Sequence, residues 1–298
     1  MKTRLKTSLF VATVILVLCI IIMFWNVSRQ DNKSANSNSQ QQIITNPQTN
    51  QNSILNLENI FIPIFMYHHV RDIDDPNDKT ANYLAVTTEK FKNELDLLEK
   101  LGYTPVNFKE IEEGILTGQT LTNESIVNGS IAKKAPMNNK TPIKKPIILT
   151  FDDGYVDFYT NAFPELKKRN LSAVIYLITD KLNTDGYMTT DQIKEMQNFN
   201  IEIGSHTLTH ANLQELSDEE LKKEISDSKT FLENLTRESV LSFCYQYGKY
   251  NSRSKKIVKE AGYKYAVTTI TGDAKFNNLL DLARRKVYSD TNINWYVK

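Results

Sequence analysis

Cysteine is nearly missing from this chain: Cys19 and Cys244 are the only two among 298 residues. Cys19 sits in an apolar run and Cys244 in an expected strand, so no disulfide framework is implied. A surplus of charge is missing too. Lys and Arg number 36 against 35 Asp and Glu, a net charge of +1. That balance gives no argument for a nucleic-acid partner. Histidine is scarce, with four in all and none after His210. Imidazole chemistry therefore falls to His68, His69, His206 or His210.

The longest uncharged apolar stretch is Leu9 to Trp25, and Lys2, Arg4 and Lys6 precede it. A positive flank before such a run marks an export signal or a membrane anchor. The run sits at the lower edge for a spanning helix and is long for a signal-peptide core. No small-x-small cleavage site follows, and Leu18 before Cys19 argues against a lipoprotein signal. The expectation for residues 1–27 is an uncleaved transmembrane helix, with the remainder outside the cell membrane. A cleaved signal peptide and a secreted protein is the second choice. Residues 28–58 are rich in Asn, Gln and Ser. They cannot bury enough surface to fold and read as a disordered stalk. Residues 59–298 remain for one catalytic domain, with its core at 145–290.

The centre of that domain is Pro146 to Gly154, PIILTFDDG. Three aliphatic residues in a row suit a strand buried on both faces. The strand ends in adjacent carboxylates, Asp152 and Asp153. Consecutive strand residues point to opposite sides, so the pair can do two jobs. The plain alternative is a turn in which one aspartate caps the next helix. About fifty residues on, Ile201 to His210 reads IEIGSHTLTH. This is a second short strand followed by His206 and His210. Spaced four apart on a helical turn, both imidazoles would face one side. Two histidines and one carboxylate suit Zn²⁺ or a similar divalent ion and leave a position for water.

Strand and helix patterns alternate through the rest. Expected helices are Thr88 to Leu101, Lys109 to Leu116, Tyr155 to Asn170, Thr189 to Phe199, Leu216 to Leu235 and Ser252 to Gly262. Expected strands are Ile62 to Met66, Ser172 to Ile178, Val240 to Tyr245 and Tyr265 to Thr268. This alternation argues an α/β fold with a parallel barrel or sheet. Between them, Thr117 to Lys145 reads as a long polar loop.

Thr150 to Gly154 and Ser205 to His210 resemble the signature motifs of the polysaccharide deacetylases, the NodB-homology family also called carbohydrate esterase family 4. TFDDG matches the first motif in full, and SHTLTH matches the second. The resemblance covers roughly Ile60 to Val287. It implies an irregular (β/α)₇ barrel and a hydrolase that removes acetyl groups from N-acetylated glycans. An O-acetyl esterase of the xylan type and a non-catalytic glycan-binding protein are the alternatives. Candidate glycans are poly-N-acetylglucosamine, peptidoglycan and chitin oligomers. The resemblance gives Asp153, His206 and His210 as metal ligands, for Zn²⁺ first and Co²⁺ or Ni²⁺ next. Asp152 becomes the general base.

Members similar to the poly-N-acetylglucosamine deacetylases take their catalytic histidine from an N-terminal Tyr-His. Here that is Tyr67-His68, with His69 as fallback. The third motif falls on Phe243 to Asn251, FCYQYGKYN. Tyr247 matches the residue whose N–H holds the oxyanion. Gln246 stands where the family has proline, and that exchange is expected to loosen the strand end. Leu282 to Val287, LARRKV, is similar to a fourth motif that also has a proline, replaced here by Ala283. Its Arg284 is expected to orient the base by a bidentate contact; the plain alternative is an exposed arginine.

Overall fold

A computed structural model of the chain describes residues 61–72, 77–117, 143 and 145–297. They belong to the compact unit Ser53–Lys298. The expected anchor (1–27), stalk (28–58) and nearly all of the polar loop before Pro146 lie outside the described residues. Among the described residues no helix is long and apolar enough to cross a membrane.

Seven strands carry the fold: β1 (Ile64–Tyr67), β2 (Pro146–Phe151), β3 (Ala173–Leu177), β4 (Ile201–Ser205), β5 (Ser242–Cys244), β6 (Tyr265–Thr271) and β7 (Leu282–Lys286). Their order is β1-β7-β6-β5-β4-β3-β2, and β2 pairs back onto β1, so the sheet closes into a barrel. Every one of these pairings is parallel. The closing register sets Ile64 opposite Ile148 and Tyr67 opposite Phe151. A two-residue strand, Thr104–Pro105, flanks the start of β2.

Alternation along β2 separates two cores. Ile147, Leu149 and Phe151 face outward and pack with Phe91, Leu95 and Leu98 of a surrounding helix. Ile148 faces inward with Ile64, Val174, Tyr176, Cys244, Val267 and Leu282. Burial on both faces is why β1, β2 and β3 read as nearly apolar runs with no polar alternation. The inward parity continues through Thr150 to Asp152, and on β7 from Leu282 to Arg284. Polar side chains thus enter the barrel lumen near its carboxyl end.

Helix α1 (Thr88–Lys100) starts where Thr87 accepts the Lys90 N–H at 3.1 Å, and it buries Phe91, Leu95 and Leu98. Two expected helices are interrupted. The segment after the paired aspartates forms a wide π turn over Phe158–Ala162 before α2 (Phe163–Arg169). Pro164 has no N–H to continue the regular ladder there. The Leu216 to Leu235 helix is α3 (Asp218–Lys222), a π turn at Lys223–Asp227, then α4 (Ser228–Thr236). At that break the Ser228 hydroxyl donates to the Glu224 carbonyl at 2.8 Å. Ser217 caps α3 in a capping box with Glu220, as its spacing predicts.

Glu94 of α1 accepts the Tyr67 hydroxyl at 3.0 Å. Burial pushes its carboxyl from 4.5 up to about 7, against the pull of Lys90 and of that hydrogen bond. The folded value exceeds the unfolded one. The unfolded state therefore binds fewer protons between these pH values, and stability falls as pH rises from 4.5 towards 7. Glu94→Gln keeps an acceptor for Tyr67 and removes the titration. Urea unfolding at pH 5 and pH 8 is expected to show the variant gaining on the wild type at pH 8, by up to roughly 3 kcal/mol. A pH-independent difference would sink this assignment.

Candidate active site

The chemistry-bearing residues gather at the carboxyl ends of the barrel strands, where parallel α/β folds place such groups. Asp152 directly follows β2 and keeps the inward parity. Arg284 reaches it from β7 inside the lumen and is 0% exposed. The guanidinium grips both carboxylate oxygens, Nη1 to Oδ1 and Nη2 to Oδ2, each at 2.7 Å. Its remaining donors go to the Thr268 carbonyl at 2.8 Å, Thr150 Oγ1 at 2.9 Å and Cys244 Sγ at 3.2 Å. Burial alone would raise the Asp152 carboxyl; the Arg284 charge outweighs it and holds the group below its ordinary value. The contact is the bidentate one anticipated, and burial rules out the exposed arginine.

Asp153 leaves the strand in a left-handed conformation, φ 75°, followed by Gly154 at φ 85°. This turn aims its carboxylate away from Asp152. Asp153 Oδ1 lies 3.3 Å from His206 Nε2 and 3.3 Å from His210 Nε2. Burial and the neighbouring Asp153 carboxylate raise the Tyr155 hydroxyl well above its ordinary value. The histidines are not on a helical turn. Residues 206–210 form an irregular loop in which Thr207 and His210 both take φ 69°. The loop, not a 3.6-residue repeat, brings the rings to 4.9 Å between centroids.

The donor set fits a divalent metal. His206 Nδ1 lies 2.8 Å from the Cys244 carbonyl, which can only accept, so Nδ1 carries a proton and Nε2, towards Asp153, is the nitrogen left for a metal. His210 Nδ1 meets the Tyr247 hydroxyl at 3.2 Å, again leaving Nε2 towards Asp153. Two donors each about 2.0–2.1 Å from one zinc at a tetrahedral angle stand about 3.3 Å apart. A second cluster, Asp152, His206 and Cys244, is also compact. It fits poorly, because Arg284 holds both Asp152 oxygens and burial pushes the Cys244 thiol up.

His68 Nε2 is 4.0 Å from Asp152 Oδ2. Burial lowers its imidazole below the usual value, with Asp152 and Asp153 pulling the other way. His69 turns elsewhere. Its Nδ1 contacts Asp157 Oδ2 at 2.6 Å and its ring stacks on Tyr155 at 3.8 Å. Of the two histidines, His68 is the one beside Asp152. Asp157, Thr150 and Cys244 were not singled out as partners from sequence. The inward parity of β2 could have flagged Thr150; nothing in a linear reading pairs Asp157 with His69.

Tyr247 lies on a turn, Gln246–Gly248, with φ 52°. Among the described residues its N–H has no backbone acceptor. Gly248 follows at φ 66°, and a Cβ there would fall 2.1 Å from Thr269 Oγ1, so only glycine fits. Gln246, in the place of the motif proline, is buried. Its Nε2 donates to the His206 carbonyl at 3.0 Å and to Thr207 Oγ1.

The polysaccharide deacetylase family profile matches residues 139–266. The Bacillus subtilis protein YxkH, a polysaccharide deacetylase by assignment, is 31% identical over 213 residues, which cover 72% of this chain and 66% of that protein. The poly-beta-1,6-N-acetyl-D-glucosamine N-deacetylase of Staphylococcus aureus is 27% identical over 226 residues, 66% of this chain and 77% of that one. Among solved structures, the Streptococcus pyogenes deacetylase PplD in complex with acetate superposes with a TM-score of 0.66 at 28% identity, covering 79% of this chain and 96% of that one. The chain belongs to the polysaccharide deacetylase family, a family of hydrolases.

Replacing Arg284 by Ala strands a buried carboxylate. Equilibrium unfolding at neutral pH is expected to show a loss of ~3–5 kcal/mol. The loss should shrink in acid as Asp152 takes up a proton. A loss below 1 kcal/mol, taken as about the ceiling for an exposed pair, would contradict the buried bidentate contact.

Proposed function

We propose that this protein is a metal-dependent hydrolase that removes N-acetyl groups from N-acetylglucosamine units of a surface polysaccharide, releasing acetate. One observation carries the reading: Asp153, His206 and His210 turn three ligand atoms to one point, beside a carboxylate that Arg284 keeps ionised. A bound divalent ion, Zn²⁺ before Co²⁺ or Ni²⁺, supplies Lewis-acid polarisation and a more acidic water. Asp152 accepts the proton of the attacking water. Its two hydrogen bonds from Arg284 fix its direction, so little reorganisation accompanies the transfer. The Tyr247 N–H donates to the acetyl oxygen as charge builds there. His68, 4.0 Å from Asp152, delivers a proton to the departing sugar nitrogen. The products are acetate and a free amine on the polymer.

The substrate class rests on the Staphylococcus aureus relative and on the Tyr67-His68 pair, both of which favour poly-N-acetylglucosamine. Exposed aromatic faces support a sugar ligand. Tyr247 is 61% exposed beside His210, and Tyr83 is 48% exposed against Tyr288, whose ring is 6.5 Å from that of His68. The positive flank and apolar run of residues 1–27 extend the proposal to a membrane-tethered protein whose catalytic domain lies outside, at the end of the 28–58 stalk.

Asp153→Ala or His206→Ala is expected to lose both bound metal, by elemental analysis, and acetate release from acetylated glycan panels. Full activity in a metal-free variant would end the assignment. Asp152→Asn is expected to keep its metal and lose turnover on the order of 10²–10⁴-fold. Normal turnover there would move the base elsewhere. Acetate released from O-acetyl sugars and not from N-acetyl ones would make the protein an esterase.

A further inference from the structure

We propose that Gln246 is a positioning residue for the paired imidazoles, its side-chain amide setting the loop that carries His206 and His210. The inference rests on the metal-site reading above. Gln246 is 0% exposed at the end of β5. Both hydrogens of its amide are spent on that loop. One goes to the His206 carbonyl at 3.0 Å, the other to Thr207 Oγ1. The same Thr207 oxygen accepts the His210 N–H at 3.1 Å. One side chain therefore reaches both histidines, His206 through its own backbone and His210 through Thr207.

The loop needs such a hold. Thr207 is β-branched and takes φ 69°, a conformation that persists only where the surroundings over-determine it. The ring of His206 is fixed from the same strand end, by Nδ1 on the Cys244 carbonyl. Ring and backbone of His206 are thus both referenced to β5. A gain in stability alone does not explain the amide. Among the described residues Gln246 Oε1 is buried with no hydrogen-bond partner, which carries a desolvation cost that an apolar residue of the same size would avoid. The amide is placed where its donor end sets geometry.

The test is Gln246→Met, which keeps volume and removes both donors, in the otherwise unaltered chain. Zinc affinity is measured by competition with a chromophoric chelator, alongside thermal unfolding of the metal-free protein and acetate release at saturating zinc. Expected is a 10–100-fold weaker zinc dissociation constant, the range seen when outer partners of metal ligands are removed. Metal-free unfolding should change little, and turnover should largely recover at saturating zinc. Zinc affinity within threefold of wild type would overturn the proposal while leaving the hydrolase reading intact. A wild-type chain that binds no zinc would overturn both. Should Gln246→Met fail to fold, Thr207→Val removes the receiving hydroxyl and keeps the branch. It is expected to weaken zinc binding over the same range, and unchanged affinity there overturns the proposal equally.

Discussion

A full positive charge inside a barrel needs an answering negative one, and the contact between Arg284 and Asp152 supplies it. Arg284 is fully buried, and its donors are distributed over β2, β5 and β6. Removing either partner leaves an uncompensated ion in the lumen. The pair constrains both strand position and chemistry. β7 must sit in the register that places Arg284 beneath the end of β2, and Asp152 must stay ionised while buried. A buried aspartate without the guanidinium would drift towards its neutral form and lose its capacity to accept a proton.

Backbone conformations of high energy gather at the same rim. Asp153, Thr207, His210 and Tyr247 are non-glycine residues with φ between 52° and 75°. Most of the other positive-φ non-glycine residues described are asparagines in turns, where the side chain tolerates this region. At the site, Thr207 and Tyr247 take it without that excuse, alongside an aspartate and a histidine. Each is held by partners from another strand: Asp153 by the imidazoles, Thr207 by Gln246, His210 by the Asp153 carboxylate and the Tyr247 hydroxyl, Tyr247 by the Thr269 hydroxyl on its carbonyl. Such clustering of strain matches a site organised for ligand geometry.

Much of this was readable from the linear sequence because parallel strands buried on both faces are short apolar runs, and chemistry follows their ends. PIILTF and IEIGS are strands, and DD and HTLTH follow them directly. What failed was geometry that depends on φ at single residues. A spacing of four suggests a helical turn, yet two left-handed residues bring the histidines together without one. Burial of Arg284 was likewise invisible, since LARRK carries three polar residues in five and does not look like an interior strand. Gln246 looked like a weakened motif because its partners, His206 and Thr207, are some forty residues away in sequence and meet it only across the barrel mouth.

Among the described residues the two compact donor clusters share only His206, and of the ligands that differ the Cys244 sulfur is the one that spectroscopy tells apart. X-ray absorption at the zinc edge of the loaded protein separates them directly. A first shell of nitrogen and oxygen alone at about 2.0–2.1 Å, with imidazole scattering from two rings, is the expected result. A sulfur neighbour at about 2.3 Å would place the ion inside the lumen against Cys244 and contradict the site built on Asp153, His206 and His210.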